Sequence, residues 1–352
     1  MKVAVYTIAK NEAQFVERWA ESCRDADYRL ILDTGSTDGT QELADDLDIT
    51  VIDAVVRPWR FDDARNTALA LLPDDIDYCI SLDMDEVLIP GWRDHLQEMH
   101  EQQVTRPRYK YTWSWKPNGQ PNLQYGGDKI HTRFGYRWKH IVHETLVPTL
   151  QEKQGWCDLE IHHHPDDTKS RAQYGDLLAI AVQEAPEDDR VAFYWARELF
   201  YMGRHAEASH QFRRYLTLPT AVWKPERAAA YRFLAKCEPP SAEDWLKQAV
   251  LEAPLRREGW YDLALLYYDM RDWRRCFTAV DSCLAITEMP LEYLCEAEAW
   301  GAGPYDIAAL AAHNLGQHQM AAQLGTEALK LDPDNERLKS NLVFYTDALA
   351  IM

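Results

Sequence analysis

The tetrapeptide Asp83-Met84-Asp85-Glu86 follows directly on the apolar run Tyr78-Cys79-Ile80-Ser81-Leu82. Two carboxylates at i and i+2, just past a buried strand, are placed to hold a divalent cation. A hard cation such as Mn²⁺ or Mg²⁺ takes oxygen ligands and keeps positions open for substrate phosphates. Taken alone, a DxD triplet is a solvated turn in most proteins; its position after a fourth strand gives it weight. Other candidates precede it. Thr7-Ile8-Ala9-Lys10-Asn11-Glu12 closes a first strand, and Asp33-Thr34-Gly35-Ser36-Thr37-Asp38-Gly39-Thr40 closes a second. Asp33, at a strand end, can accept hydrogen bonds from a base or a ribose. Ser36, Thr37 and Asp38 suit the cap of the next helix. Arg65 could reach a diphosphate as a planar, permanently charged donor, or make an ordinary surface ion pair.

These residues need elements to position them. Lys2–Ala9, Arg29–Asp33, Thr50–Val55 and Tyr78–Asp83 read as strands, and Glu12–Cys23, Gly39–Leu47 and Asp62–Leu71 as helices between them. Strands alternating with helices imply a mostly parallel sheet covered on both faces, with ligands at the carboxyl ends of its strands. Beyond about residue 176 the strands stop. Ala196, Ala230 and Ala264 recur every 34 residues, as do Tyr215, Ala249 and Cys283. Trp260, Ala264 and Tyr267 fit the tryptophan, small-residue and tyrosine positions of a tetratricopeptide (TPR) repeat. A last unit, Tyr305 to Pro333, carries Ala309, Gly316, Ala321 and Ala328 and is displaced by an insertion around Glu288–Gly303. The pattern predicts four repeats and a capping helix over roughly Glu336–Ile351; an unrelated helical bundle is the alternative.

The chain has 352 residues, which suggests two domains: an α/β domain over 1–175 and an all-α, TPR-like solenoid over 176–352. Seven scattered cysteines without zinc spacing suit a reducing compartment, so a cytoplasmic location is expected, with no membrane span. The net charge of -19 argues against strong, non-specific attraction to nucleic acid or anionic membrane. One segment runs against that balance: Arg106 to Lys139 holds eight basic residues and one acidic residue, Asp128. Within it Tyr109, Tyr111, Trp113 and Trp115 alternate with polar residues, which puts the aromatics on one face of a strand. The plain reading is a half-buried strand or hairpin. The sharper one is an acceptor platform, with Arg133, Arg137 and Lys139 available to an anionic acceptor or to a diphosphate.

In order and spacing, Thr7–Glu12, Asp33–Thr40, Ala64-Arg65-Asn66 and Asp83–Glu86 resemble the family 2 glycosyltransferases of the GT-A fold. The likeness is close over about the first 90 residues. It continues loosely through Arg133, Trp138 and Val142-His143-Glu144 to His162–His164. It is nearest to the bacterial and phage branch in which TPRs follow the catalytic domain, which includes peptide S-glycosyltransferases and lipopolysaccharide-core transferases. The resemblance implies an inverting transfer from a nucleotide-diphosphate sugar, usually a UDP-sugar, to a peptide, protein or saccharide; a modified phage DNA base ranks behind these. It implies nucleotide-sugar contacts from Thr7, Ala9, Asn11, Glu12, Asp33, Arg65, Asp83 and Met84. It also implies a Mn²⁺ or Mg²⁺ ion on Asp83 and Asp85, completed by His162 or His164 from Ile161-His162-His163-His164-Pro165. An inverting displacement needs a base opposite the departing diphosphate. Glu144 is the candidate and Asp128 the reserve. Trp113, Trp115, Arg133, Trp138 and His143 are the candidate acceptor residues.

Two rivals remain. A sugar nucleotidyltransferase would carry a glycine-rich loop after the first strand, and Thr7–Glu12 contains no glycine. A TPR adaptor with an inactive first domain would not need intact Asp33, Asp83, Asp85 and Glu144. The repeats could bind a partner on a concave face, brace the catalytic domain or form a homodimer.

Overall fold

The computed structural model describes residues 1–166 and 173–350. The chain divides into two compact units, Met1–Ala181 with Leu291–Tyr293, and Val182–Pro290 with Leu294–Met352. The expected boundary at 175/176 falls inside a helix, α5 (Gln173–Glu184), once elements are numbered from the N-terminus.

The first unit opens β1 (Val3–Ala9), α1 (Ala13–Ser22), β2 (Tyr28–Asp33), α2 (Thr40–Asp46), β3 (Thr50–Asp53), α3 (Phe61–Ala70) and β4 (Tyr78–Ser81). This is the alternation read from the sequence, with ends shifted by a residue or two. It continues with β5 (Glu86–Leu88), α4 (Trp92–Glu101), β6 (Arg106–Trp115), β7 (Pro121–Gly127), β8 (Ile130–Thr132), β9 (Tyr136–Lys139), β10 (Thr145–Pro148) and β11 (Gln154–His163). The main sheet has the order β3-β2-β1-β4-β8, parallel except for the β8 edge. A second, mixed sheet, β5-β11-β6-β7, was not expected as a sheet; the aromatic alternation of β6 reads as a half-buried strand or hairpin, and β6 and β7 form that hairpin within the sheet. A hairpin, β9–β10, stands apart.

Two apolar layers flank the main sheet. Val3, Val5 and Ile31 pack with Phe15, Val16 and Trp19 of α1, and Ala4, Tyr6, Leu30 and Leu32 with Ala68 and Leu69 of α3. These are the two faces of buried parallel strands, which explains their near-continuous apolar sequence. The register pairs Ala9 with Asp33 and Tyr6 with Ser81, so the carboxyl ends of β1, β2 and β4 form one rim.

The second unit is built of helices and their connecting loops, with no strand among its described residues. It pairs α6 (Asp189–Tyr201) with α7 (His205–Thr217), α8 (Lys224–Cys237) with α9 (Ala242–Glu252), and α10 (Arg257–Asp269) with α11 (Trp273–Leu284). A short α12 (Ala297–Trp300) lies in the insertion. A fourth pair follows, α13 (Gly303–Asn314) with α14 (His318–Leu331), and then α15 (Glu336–Ala350); Ile351 lies outside the described residues. Ala196, Ala230, Ala264 and Ala309 all have no exposed surface, and Tyr215, Ala249, Cys283 and Ala328 are buried in the same way. Each repeated position is therefore one packing position. Among the described residues, no helix is long and apolar enough to cross a membrane.

This packing yields a stability prediction. Ala230→Leu overfills a closed crossing and should lower unfolding free energy by about 1–3 kcal/mol, whereas Ala206→Leu on the exposed side of α7 should change it by less than about 0.5 kcal/mol. Urea denaturation of both variants checks this; equal effects would mean that the register does not mark helix contacts.

Candidate functional site

The rim of the main sheet begins with two loops laced by short polar side chains. Asn11 has φ 57 and sits in the left-handed region, which asparagine tolerates. Its amide N donates to Ser36 Oγ at 2.8 Å, and its Oδ1 accepts from the Thr37 amide at 2.8 Å. The Glu12 amide donates to Thr40 Oγ1 at 2.8 Å. Asp38 does more than begin its own helix: it accepts from the Thr40 amide at 3.1 Å and from Ala13, the first residue of α1, at 3.0 Å. Asn11 thus braces the rim through its backbone and its side chain, and Glu12 through its backbone. Thr7 is fully buried in β1, Ala9 is buried beside it, and Met84 lies in the apolar core, so side-chain contacts with a nucleotide from these three are not supported.

Asp33 ends β2 with no exposed surface. Its Oδ1 accepts from the Gly35 and Ser36 amides, both at 2.8 Å, a turn that uses φ 104 at Gly35. Its Oδ2 is buried and has no hydrogen-bond partner among the described residues. Burial raises the Asp33 carboxyl, but the Ser36, Gln41 and Gly35 donors outweigh it and hold the group below its ordinary value. The result is an ionised acceptor with one oxygen unsatisfied.

Arg65, on α3, is neither a surface ion pair nor a free phosphate donor. Its Nε donates to Glu144 Oε1 at 2.5 Å, its Nη1 to Ser81 Oγ at 3.1 Å and its Nη2 to Asp83 Oδ1 at 2.7 Å. The guanidinium lies 5.0 Å from the Trp138 ring. Trp138 is held from below, its Nε1 donating to the Tyr6 hydroxyl at 2.8 Å, which in turn lies 3.1 Å from His131 Nε2. Burial pushes the His131 imidazole down to about 4, so it is neutral. Asn66, next to Arg65, bonds both backbone groups of Trp138 at 2.9 Å. The Phe61 amide donates to Ile141 O at 2.9 Å. The loop from His140 to Glu144 therefore has fixed ends, buried Ile141 and Val142, and left-handed backbone at His140 (φ 83) and His143 (φ 53). Strain of that kind persists where the surroundings over-determine it, here beside the charged cluster.

Asp83 is committed at both oxygens, Oδ1 to Arg65 and Oδ2 to Lys129 Nζ at 2.8 Å. Burial would raise its carboxyl, but the Arg65 and Lys129 charges override this and hold it well below the carboxylate range. Glu86 is 1% exposed; its Oε1 accepts from Lys129 Nζ at 2.7 Å and from the Tyr111 hydroxyl at 2.6 Å, and its Oε2 from the Asp83 amide at 2.8 Å. Asp85 is the more available carboxylate of the triplet. Its Oδ2 lies 3.3 Å from His163 Nε2. His163 Nδ1 lies 3.0 Å from Trp113 O, and the ring stacks on Trp113 at 4.3 Å and 16°. Burial lowers the His163 imidazole, but Asp85 outweighs it and holds the group above its ordinary value.

Several expectations are corrected here. The histidine facing the triplet is His163, not His162 or His164. Along β11 the buried face is Cys157, Leu159, Ile161 and His163, so His162 points the other way, to Glu160 at 3.1 Å, while His164 stacks on Trp115 at 5.5 Å. Glu144 is not free-standing: its Oε1 accepts from Arg65 Nε, so in this structure it is the counter-ion of Arg65. Asp128 pairs with Arg106 at 3.1 Å. Arg133 is a backbone brace, donating to Leu72 O and Pro73 O, and Trp138 is core, so neither is an acceptor contact. Trp113 and Trp115 are occupied in holding His163 and His164. His143 meets the Tyr174 ring at 5.6 Å. Lys129 was not singled out in the sequence, and Glu86 stood in the motif without a role of its own.

A divalent ion can be tested against these side chains. With Nδ1–H given to a backbone carbonyl, His163 presents the Nε2 lone pair to a carboxylate oxygen, an arrangement that needs a proton or a cation between them. Metal-binding histidines are oriented by this kind of carbonyl contact. Asp85 and His163 therefore fit the ion as a pair. Among the described residues no group of three or more His, Cys, Asp or Glu is placed to hold a metal, so side chains alone do not complete the shell.

Glu144→Gln separates the two roles of that residue. As the Arg65 counter-ion it should lose about 1.5–3 kcal/mol of stability, the worth of a hydrogen bond to a charged group. A fall in turnover of roughly 10²- to 10⁴-fold with unchanged thermal stability would restore the base assignment.

Residues 4–152 match the family described as Glycosyl transferase family 2. Asp33, Arg65, Asp83, Asp85, Lys129 and Glu144 lie inside that match and His163 lies beyond it. Solved structures similar to the chain include MamA (17% identity, 48% of this chain, 96% of that one, TM-score 0.37). They also include pilF of Pseudomonas aeruginosa (15%, 47%, 70%, 0.38) and a TPR protein of Thermus thermophilus (19%, 50%, 88%, 0.32). No curated protein matches the chain.

Proposed function

We propose, from the glycosyl transferase family 2 domain formed by residues 4–152, that this enzyme transfers a sugar from a nucleotide-diphosphate donor, UDP-linked in our reading. The observation that carries the reading is Asp33 Oδ2. A buried, ionised oxygen without a hydrogen-bond partner among the described residues loses solvation in the free protein and regains it from a ligand N–H or O–H. The imide N–H of uracil is a donor of the right kind, which favours UDP over a base that offers no such proton.

Asp85 and His163 would hold Mn²⁺ or Mg²⁺ beside the diphosphate. Bound there, the ion would offset charge developing on the leaving group. Asp83, fixed between Arg65 and Lys129, sets the charge and shape of the pocket wall. The acceptor is a hydroxyl, thiol or amide of a peptide or saccharide. The net charge of -19 disfavours a DNA acceptor. An adaptor with a dead first domain would have no reason to keep an unsatisfied carboxylate oxygen buried at the strand rim.

Thermal-shift screening of nucleotide sugars with and without Mn²⁺ tests this, since a ligand at ~100 times its Kd adds roughly 2.7 kcal/mol. UDP with Mn²⁺ should stabilise the protein. Asp33→Asn should weaken UDP by about tenfold or more, the equivalent of a hydrogen bond to a charged group of roughly 1.5–3 kcal/mol. Absence of stabilisation by any nucleotide, or wild-type UDP affinity in Asp33→Asn, would refute the assignment.

A further inference from the structure

We infer that Lys129 is a built-in cation that closes the Asp83–Glu86 carboxylate pair to metal and leaves Asp85 and His163, among the described residues, as the side-chain ligands of the donor-site ion. The inference rests on the proposed metal role of Asp85 and His163 and goes beyond it, by giving the first aspartate of the triplet a different task from the second.

The geometry is specific. Lys129 stands between β7 and β8 with its backbone held on both sides: the Ser81 amide donates to Lys129 O at 3.1 Å, and the Lys129 amide reaches the Tyr109 hydroxyl at 3.4 Å. That aims the side chain across the end of β4. Its Nζ sits 2.8 Å from Asp83 Oδ2 and 2.7 Å from Glu86 Oε1, over the Tyr111 ring at 5.8 Å. Two carboxylate oxygens converging on one point at these distances make a cation site, and the point is filled by an ammonium group. The other Asp83 oxygen belongs to Arg65, so Asp83 has no oxygen to give without first breaking an ion pair.

Without Lys129, three carboxylates within four residues would form a pocket of high negative charge, and cation affinity rises with the number of charged ligands. A pocket of that kind would hold a divalent ion tightly in the absence of donor. With Lys129 in place the described residues of the free enzyme offer the ion Asp85 and His163, so it binds weakly until donor phosphates supply further oxygens. Lys129 thus acts as a positioning residue that couples metal binding to donor binding.

Mn²⁺ titration of the full chain without nucleotide, followed by loss of the free-ion EPR signal, tests this. Folded Lys129→Met should bind Mn²⁺ at least about tenfold tighter than wild type, because the cation site it vacates has two carboxylates. Adding Glu86→Gln to Lys129→Met should reverse the gain. Asp83→Asn should bind Mn²⁺ as wild type does, while Asp85→Asn should bind it less well. Wild-type Mn²⁺ affinity in folded Lys129→Met overturns the inference. If Lys129→Met does not fold, Asp83→Asn decides: unchanged affinity upholds the inference, and a loss equal to that of Asp85→Asn overturns it. Unchanged binding in both Asp85→Asn and His163→Gln would instead remove the proposed metal pair, and the gain in Lys129→Met would still report on Lys129 alone.

Discussion

One guanidinium ties together the parts of this site that come from different elements. Arg65 leaves α3 and bonds Ser81 at the end of β4, Asp83 beyond it and Glu144 at the end of the β9–β10 loop. Each contact alone is an ordinary ion pair or hydrogen bond. Together they fix the distance between strand end and loop, because a planar fork with five donors cannot satisfy three acceptors unless all three stand where its geometry demands. Removing such a charge from water is unfavourable, and the compensation is complete only when every acceptor is present. The surrounding structure serves that requirement. Trp138 lies against the guanidinium, Tyr6 and His131 hold Trp138 from beneath, and Asn66 bonds the Trp138 backbone.

Local pattern made part of this legible in the sequence. The strands before Asp33 and Asp83 are continuous apolar runs, and a run buried on both faces needs no long-range information to be recognised. The repeated alanines were legible for a similar reason, since close helix crossings demand a small residue at one fixed position. The phase of β11 was also within reach: Cys157, Leu159 and Ile161 share a face, and His163 continues it. The readings through His162 and His164 followed their place at the strand end and not that alternation. The same signal exists in β9, where buried Tyr136 and Trp138 alternate with exposed Arg137 and Lys139, and it marks Trp138 as core.

Lys129 was not legible. It lies in a stretch of eight basic residues that reads as a half-buried strand or hairpin, or as an acceptor platform. Its place in the site follows from the antiparallel edge formed by β8 on β4, which no local period announces. Glu86 and Glu144 share that difficulty. A carboxylate beside a strand end can be ligand, base or counter-ion, and the choice among the three is made by the cation that reaches it through tertiary structure.

The charges of the cluster show why a division of labour between the two aspartates is physically reasonable. Asp83, Asp85, Glu86 and Glu144 bring four carboxylates to the end of β4, and Arg65 and Lys129 bring two fixed cations. With a neutral His163, two negative charges remain uncompensated, the charge of one divalent ion. The fixed cations are spent on Asp83, Glu86 and Glu144; Glu86 and Glu144 are the least exposed of the four carboxylates, where an unpaired charge would be most costly. One of the two uncompensated charges stays within that shared cluster and the other is Asp85, which no fixed cation reaches among the described residues and which faces a histidine already oriented by the Trp113 carbonyl. A site arranged in this way keeps its resident ion pairs when an exchangeable ion enters or leaves, so the protein fold does not have to depend on the metal that its chemistry would use.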